Sequence, residues 1–509
     1  MSSNALTPEN VQYRGLLTVC AMVATLMQSL DSTIANVALP YMQGSLSASS
    51  DQITWVLTSY IVAAAIMTAP VGWLSARFSQ KRVFVVSLVG FTVTSMLCGM
   101  ATSLDEMVLF RFAQGMFGAA LVPLSQSVML NIYPAEQRGS AMAVWGMGVM
   151  VGPILGPTLG GYLTEFYDWR YVFFVNLPFG LLATLGVLFA MPSEDSQRAL
   201  KFDWFGFTAL AVGLAGLQLF LDRGETKDWF ASTEVITEAV LAVFGLYVFV
   251  VHLATAEKPF ISPRIFRDRN FAMALVVMFL VGMVLLATSA LLAPWLQDLG
   301  KYPVESAGLL MAPRGFGTMA AMLIAGRLTS RIDPRLLMGV GTGLLIYSFA
   351  VMTGWTPAVS QWDIVVNTVV QGFALGFVFI PLNVIAFATL PGELRTEGTA
   401  LWSLVRNIGS AIGISIFEAL IASNTQVEHS VLAQFASPFN RMLPHMLSAA
   451  TAHGAALLNA MIGEQALVIA YNDDYWLMML IAVPILVLLP LMRRPRHAAP
   501  ADPAHAVMD

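Results

Sequence analysis

The 509-residue chain has little cysteine and little charge. Its two cysteines, Cys20 and Cys98, both lie inside apolar stretches, so we expect no disulfide framework, metal site or cofactor. Lys, Arg, Asp and Glu make up only 11% of the residues, whereas a typical soluble domain has about 25%. The net charge of -5 is mild and indicates no nucleic-acid partner.

The sequence also lacks the motifs of common enzymes. It has no His-Glu-x-x-His zinc motif and no Gly-x-Ser-x-Gly nucleophile motif. Gly146-Met-Gly148 lacks the third glycine of a nucleotide-binding loop and lies inside an apolar stretch. We therefore expect that the protein is not an enzyme.

Hydrophobic residues are abundant, at 57% of the chain, and the mean hydropathy is +0.71. This composition predicts an all-α polytopic membrane protein. We predict fourteen spans, at about 14–39, 53–73, 83–102, 107–131, 140–163, 171–191, 204–222, 236–256, 271–294, 305–327, 336–354, 364–388, 398–422 and 475–492.

Positive charges are distributed unequally between the loops on the two sides. Of the 26 Lys and Arg residues, three lie inside predicted spans and five on one side, which leaves eighteen on the side of the termini. Because loops rich in Lys and Arg stay in the cytoplasm, both termini are expected to be cytoplasmic. The five on the opposite side are Arg170, Arg223, Lys227, Lys301 and Arg441.

Two parts of the chain repeat each other. The segment 72–77, Gly-Trp-Leu-Ser-Ala-Arg, resembles 326–331, Gly-Arg-Leu-Thr-Ser-Arg, and Gly152-x-x-x-Gly156 is matched by Gly409-x-x-x-Gly413. We predict six-helix halves at 1–200 and 263–509, two inserted helices at 201–262, and a long periplasmic loop at 423–474. Parallel repeats of this kind are typical of transporters with a central substrate site.

The fifth predicted span carries glycine at every fourth position. Gly148, Gly152, Gly156 and Gly160 would share one face of the helix, where a neighbouring helix can approach closely. Pro153 and Pro157 remove backbone N–H groups, so neighbouring helices must satisfy the freed carbonyls. Either simple tight packing or a helix pair that must move without leaking explains this pattern.

Charges inside spans are the candidates for coupling chemistry. A charge at mid-bilayer costs about 2.5–3.5 kcal/mol on insertion scales, so such residues are usually functional. Asp31 and Arg111 lie in the outer half of their spans and could pair or share a cavity, with Asp31 exchanging a proton while Arg111 stays charged. A static ion pair is the alternative. Arg314 and Arg406 are the corresponding charges in the second half.

Substrate contacts are predicted from polar groups inside the spans. The candidates are Gln28, Gln114, Gln126, Gln371, Asn383, Arg406 and Asn407. The 29 Met and 31 Phe residues suit a promiscuous apolar pocket, although most of them must contact lipid or other helices.

The chain resembles the major facilitator superfamily and, within it, the fourteen-span drug:proton antiporters of the EmrB type. The first-span sequence Leu30-Asp-Ser-Thr-Ile-Ala-Asn-Val-Ala-Leu-Pro40, the cytoplasmic segment 72–82, Arg111-Phe-Ala-Gln114-Gly115 and the glycine pattern carry this resemblance. It implies export of amphipathic toxic compounds in exchange for protons. It assigns Gly72 and Arg77 to gating and places the protein in the inner membrane. It also implies a periplasmic membrane-fusion adaptor and, through it, an outer-membrane channel as partners.

Two positions depart from the family pattern. Ala76 stands where the cytoplasmic signature usually has an acid, and Ser79 stands where it usually has glycine. The resemblance implies that the usual acid latches the outward-open state, and Ala76 has no carboxylate for this latch. A proton-coupled importer of a small nutrient on the same fold remains the alternative function.

The predicted loop 423–474 is unusually apolar. Leu443, Met446, Leu447, Ala450, Leu457, Leu458 and Met461 recur near helical spacing. An amphipathic helix in this loop could lie on the membrane surface or dock the adaptor.

Overall fold

The computed structural model describes residues 11–192, 201–224, 226–436 and 452–493, and this part of the chain is helical, without strands. The first half contains α1 Arg14–Ser45, α2 Ser50–Ile53, α3 Trp55–Thr68, α4 Val71–Phe78, α5 Gln80–Met100, α6 Leu104–Gly118, α7 Leu121–Ile132, α8 Arg138–Phe166, α9 Tyr171–Phe174 and α10 Asn176–Ala190. The rest comprises α11 Trp204–Arg223, α12 Thr233–Thr255, α13 Arg269–Pro294, α14 Val304–Leu328, α15 Pro334–Met352, α16 Gln361–Ala388, α17 Arg395–Ala433 and α18 Ala452–Leu488.

The helices of the described residues provide fourteen candidate membrane spans. Thirteen stretches are long and apolar enough to cross a bilayer, and the pair α3–α4, bent by 56°, completes the count. The bend falls at Ala69-Pro70, where proline cannot continue the hydrogen bonding of α3. Span 2 is α3 with α4, span 4 is α6 with α7, span 6 is α9 with α10, and every other span is one helix. The predicted fold class is confirmed.

Helix packing follows the internal repeat. In the first half α1 packs along α8, and in the second half α13 packs along α17, so spans 1 and 5 correspond to spans 9 and 13. The inserted helices α11 and α12 pack against each other. Between the halves, α8 packs against α14.

The last two spans differ from the prediction. Helix α17 continues to Ala433 and α18 already begins at Ala452, so most described residues of 423–474 are extensions of these spans and not a separate loop helix. The apolar spacing that includes Leu457, Leu458 and Met461 is in phase with the span that follows, and no proline interrupts it before Pro484. Leu443, Met446, Leu447 and Ala450 lie outside the described residues.

Ser79 joins α4 to α5 with a positive φ of 77°. Its ψ of 145° places it in a region that is almost restricted to glycine. The serine hydroxyl accepts a hydrogen bond from the Arg82 backbone N–H at 3.4 Å and so caps α5. This backbone geometry explains physically why glycine suits the position.

Candidate transport site

Asp31 on α1 and Arg111 on α6 form an ion pair inside the first half. Arg111 Nη1 lies 2.6 Å from Asp31 Oδ2, and both residues have no exposed surface. Helix α1 carries the polar residues Ser29 and Thr33 on either side of Asp31, and α6 is capped at its start by Ser103, whose hydroxyl accepts from the Glu106 N–H. The two charges predicted from separate spans therefore meet in one buried site.

The other Asp31 oxygen is also occupied. Gln114 Nε2 donates to Asp31 Oδ1 at 2.8 Å, and Asn176 Nδ2 on α10 donates to the same oxygen at 3.2 Å. Gln114 Oε1 in turn accepts from Arg111 Nη1 at 2.8 Å. Gln114, a candidate for substrate contact, is thus a partner of the ion pair. We term Asp31, Arg111, Gln114 and Asn176 the acid network.

Arg111 has further partners that do not depend on Asp31. Its Nε donates to the Val56 carbonyl at 3.1 Å, and its guanidinium lies over the Tyr60 ring, 4.2 Å from the centroid. Asn176 also donates to Ser95 Oγ at 3.0 Å. Sequence reasoning missed Asn176 and Tyr60; an asparagine inside the apolar sixth span was the available signal for the first, and nothing marked the second.

The glycine face of α8 lies directly on α1, next to Asp31. A Cβ atom added at Gly152 would sit 2.7 Å from the Leu30 backbone N, and one at Gly156 would overlap Thr33 Oγ1. Gly148 faces Met22 and Gly160 faces Ile34 in the same way. The glycines therefore form a helix–helix contact at backbone distance.

Helix α8 runs without interruption through Pro153 and Pro157. Proline 153 has no N–H to donate to the carbonyl of Val149, four residues earlier. Ser29 Oγ on α1 donates to this carbonyl at 2.8 Å, and Thr33 Oγ1 donates to the Gly152 carbonyl at 3.3 Å. The neighbouring helix thus satisfies the backbone that proline leaves open, and α1 and α8 are tied together beside the acid network.

The second half repeats this contact. A Cβ at Gly409 on α17 would lie 2.5 Å from the Phe279 carbonyl oxygen on α13, and one at Gly413 would overlap the Met283 carbonyl. Ser410 Oγ donates to the Gly282 carbonyl at 3.0 Å. Each half therefore has its own glycine-mediated helix pair.

The two halves meet at the face where α1 begins, which we call the predicted cytoplasmic face. Gly72 at the end of span 2 lies against Glu397 on α17, where an added Cβ would be 2.8 Å from the Glu397 Cα. At the equivalent place in the repeat, Ser140 Oγ on α8 donates to the Gly326 carbonyl on α14 at 3.4 Å. Ala76 is exposed, and Arg77 lies over its neighbour Phe78.

Polar side chains extend this contact between the halves. Gln126 Nε2 donates to Asn383 Oδ1, with both residues fully buried, and Ser127 Oγ lies 2.8 Å from Thr396 Oγ1. Arg395 Nη1 donates to Asn131 Oδ1 at 3.1 Å. Gln126 and Asn383, two substrate candidates, bond each other across the halves.

The remaining substrate candidates are separated. Gln28 is half-buried on α1, and Gln371 is buried with its amide 3.9 Å from Met352 Sδ. Arg406 is half-buried and donates to its exposed neighbour Asn407 at 3.4 Å. A narrow apolar gap between the halves is lined by Met150, Val281, Leu285, Thr318, Met322, Leu375 and Phe379. Arg314 donates to Ser289 Oγ and to the Leu285 carbonyl at the edge of this gap.

Solved structures show the same fold at low sequence identity. The chain is similar to the human organic anion transporter MFSD10 (TM-score 0.59, 14% identity, covering 92% of this chain and 99% of the other). It is also similar to the proton:xylose symporter XylE (TM-score 0.60, 12% identity, covering 93% and 96%).

Curated relatives are similar over nearly the whole chain. The multidrug export protein EmrB of Haemophilus influenzae is 35% identical, covering 91% of this chain and 92% of that protein, and EmrB of Escherichia coli K12 is 34% identical with the same coverage. The fatty acid resistance protein FarB of Neisseria gonorrhoeae is 31% identical, covering 95% and 96%. The family model described as Major Facilitator Superfamily matches residues 21–414. This multi-pass membrane protein belongs to the major facilitator superfamily.

Proposed function

We propose that the protein is a secondary exporter that expels amphipathic toxic compounds in exchange for protons. The observation that carries this proposal is the buried acid network, in which a carboxylate is paired with an arginine beside a close helix contact. Relatives named multidrug export proteins over 91% of the chain support export over import.

Proton uptake by Asp31 would weaken the hold of α1 on α6. A protonated carboxyl group loses its charge attraction to Arg111, and it also loses one acceptor position. Arg111 stays in place because Val56 and Tyr60 hold its guanidinium independently. Protonation of Asp31 therefore weakens the attachment of α1, while Arg111 on α6 keeps its position.

Helix α8 can transmit this change to the interface between the halves. The middle of α8 is bonded to α1 through Ser29 and Thr33. The beginning of α8 contacts α14 at Gly326. A shift of α1 relative to α6 would therefore bias the contacts at the predicted cytoplasmic face. Substrate would enter when these contacts open, and Gln126 and Asn383 would then be free to bind it.

We assign the protein to the inner membrane, with both termini in the cytoplasm and a membrane-fusion adaptor as the periplasmic partner that leads to an outer-membrane channel. Helices α17 and α18 have 39 and 37 residues, whereas about 20 residues span a bilayer. His429 on the α17 extension bonds Asn459 on the α18 extension at 3.0 Å. Exposed Val427 and Met461 give this projection an apolar surface suited to docking.

Transport in inside-out membrane vesicles tests the proposal. An acidic vesicle interior should drive accumulation of a fluorescent amphipathic dye by the wild-type protein, and collapse of the pH gradient should stop it. Asp31→Asn should abolish accumulation, whereas Asp105→Asn, at an exposed acid beginning α6, should preserve it. Dye movement out of these vesicles down the same gradient would instead identify an importer.

A further inference from the structure

The second half contains a buried acid that the proposed mechanism does not use. Asp474 on α18 is 1% exposed, and its Oδ2 atom is buried without a hydrogen-bond partner. None of the ion pairs among the described residues includes Asp474. Asp31, by contrast, receives hydrogen bonds from three side chains.

Tyr471 and Tyr475, close to Asp474 on α18, belong to a connected chain of aromatic rings. The Trp295 and Trp355 rings lie 5.3 Å apart, Trp355 and Tyr475 lie 6.4 Å apart, and Tyr471 and Tyr475 lie 6.3 Å apart. The two indole N–H groups and the Tyr475 hydroxyl are also buried without hydrogen-bond partners. Several polar groups with free hydrogen-bonding capacity therefore collect in one apolar site.

The helices at this site correspond in the repeat to helices that carry part of the acid network. Trp295 follows the end of α13, Trp355 follows α15, and Asn472 on α18 donates to the Trp355 carbonyl at 3.3 Å. Helices α13, α15 and α18 are spans 9, 11 and 14, which are the counterparts of spans 1, 3 and 6. The latter three carry Asp31, Ser95 and Asn176. Each half thus places one buried acid among the same three helices.

The acidic groups near the site disfavour a negative charge on Asp474. Asp298, which follows α13 in the chain, and Glu418 on α17 lie near Tyr471, and Asp473 is the neighbour of Asp474 on α18. Lys301 is exposed and donates to the Asp298 carbonyl. A buried carboxylate beside acids and without a paired cation is costly, and binding a proton removes that cost.

We propose that Asp474 is a second proton-binding site, which gains and loses a proton in each transport cycle. This inference rests on the proposed proton-coupled exchange. Since Asp31 is compensated by Arg111 and Asp474 has no counter-ion in the described structure, the two acids would take up protons under different conditions. One proton would then be carried by each half.

The number of protons moved per substrate tests this proposal. In proteoliposomes with a trapped pH indicator, Asp474→Asn is expected to lower the proton-to-substrate ratio by one proton. Asp105→Asn is the control because Asp105 is an exposed acid at the beginning of α6, and its ratio should equal that of the wild type. An unchanged ratio in Asp474→Asn would overturn the proposal.

A second measurement needs no variant. Dicyclohexylcarbodiimide modifies protonated carboxyl groups in apolar surroundings, so mass spectrometry of the wild-type protein treated near neutral pH should find Asp474 modified and Asp473 unmodified. Absence of modification at Asp474 contradicts the proposal. Modification together with an unchanged proton ratio also contradicts it, because the proton would then be permanent. Wild-type protein without proton exchange would refute the proposed function, while the labelling still reports on Asp474.

Discussion

Arg111 holds the acid network together through geometry as well as charge. Its guanidinium contacts Asp31, Gln114, the Val56 carbonyl and the Tyr60 ring at the same time. A lysine ammonium can pair with Asp31 but cannot reach all of these partners. Arg111→Lys should therefore retain part of the proton-driven transport, whereas Arg111→Ala should lose it.

Transport assays on equal amounts of folded protein check this prediction about Arg111. Removing one partner of a buried ion pair typically costs about 3–5 kcal/mol, so the yield of folded Arg111→Ala must be measured alongside activity. Full activity of the alanine variant would remove Arg111 from the mechanism.

Ser79 provides a stability prediction outside the acid network. A residue held in a sparsely populated backbone region costs about 1–3 kcal/mol, and glycine avoids this cost. Ser79→Gly should raise the unfolding temperature above that of Ser79→Ala, which keeps the positive φ and loses the cap on Arg82. An alanine variant as stable as the glycine variant would show that the backbone at residue 79 is not strained.

At the residue scale, the sequence identifies the charged residues of the site but not the side chains that bond to them. Asp31 and Arg111 stand out because charges are rare inside membrane spans. Their pairing with Asn176 depends on how three helices converge, and helix periodicity does not encode that. For the same reason the sequence does not reveal that Gln126 and Asn383 bond each other across the halves, and their contact with substrate stays a prediction.

At the scale of helices, the contact between α1 and α8 is the element that couples the acid network to the rest of the protein. Gly152→Leu would place a bulky side chain against the Leu30 backbone, and overpacking costs about 1–3 kcal/mol. We expect this variant to lose transport or to leak protons, because the two helices can no longer pack closely.

Gly161 is the matched control for Gly152. It lies on the same helix, but an added Cβ there meets no atom within 4 Å. Gly161→Leu should leave transport and proton tightness near wild-type values in reconstituted vesicles. If the two variants behave alike, the glycine face does not serve as the contact that the mechanism requires.

Helix identity could be predicted from the sequence, but helix ends could not. Apolar length and the glycine spacing define the spans and the packing face of α8 directly. Helix α18 begins in an apolar stretch that runs into its span without proline, whereas α17 continues beyond its apolar part through the mostly polar residues Ser423 to Ser430, so hydropathy does not mark either helix end. The described residues of 423–474 therefore continue α17 and α18, and the periplasmic placement of this segment stays a prediction.

At the scale of the whole molecule, the contacts at the predicted cytoplasmic face define the closed side of the transporter. Ser127 and Thr396 lie in different halves with their hydroxyl groups 2.8 Å apart. Cysteines at both positions should form a disulfide that blocks dye transport, and a reductant should restore it. Oxidised protein that transports at the wild-type rate would show that these contacts do not need to open.

The projection formed by α17 and α18 gives a separate prediction about the partner. Charged substitutions at exposed Val427 and Met461 should abolish drug resistance in cells that need the adaptor. They should leave substrate and proton exchange intact in vesicles, because the transport site lies elsewhere. Full resistance in cells, or loss of exchange in vesicles, would contradict docking at this surface.

Proton movement driven by a substrate gradient tests the central role of Asp31 most directly. Asparagine keeps the shape of Asp31 and one acceptor oxygen, but it cannot exchange a proton. In proteoliposomes loaded with substrate, the outward flow of substrate through the wild-type protein should drive protons inward. Asp31→Asn should still exchange labelled for unlabelled substrate but should lose the proton that Asp31 carries, leaving at most the one assigned to Asp474. Proton movement at the wild-type rate in Asp31→Asn would contradict the account.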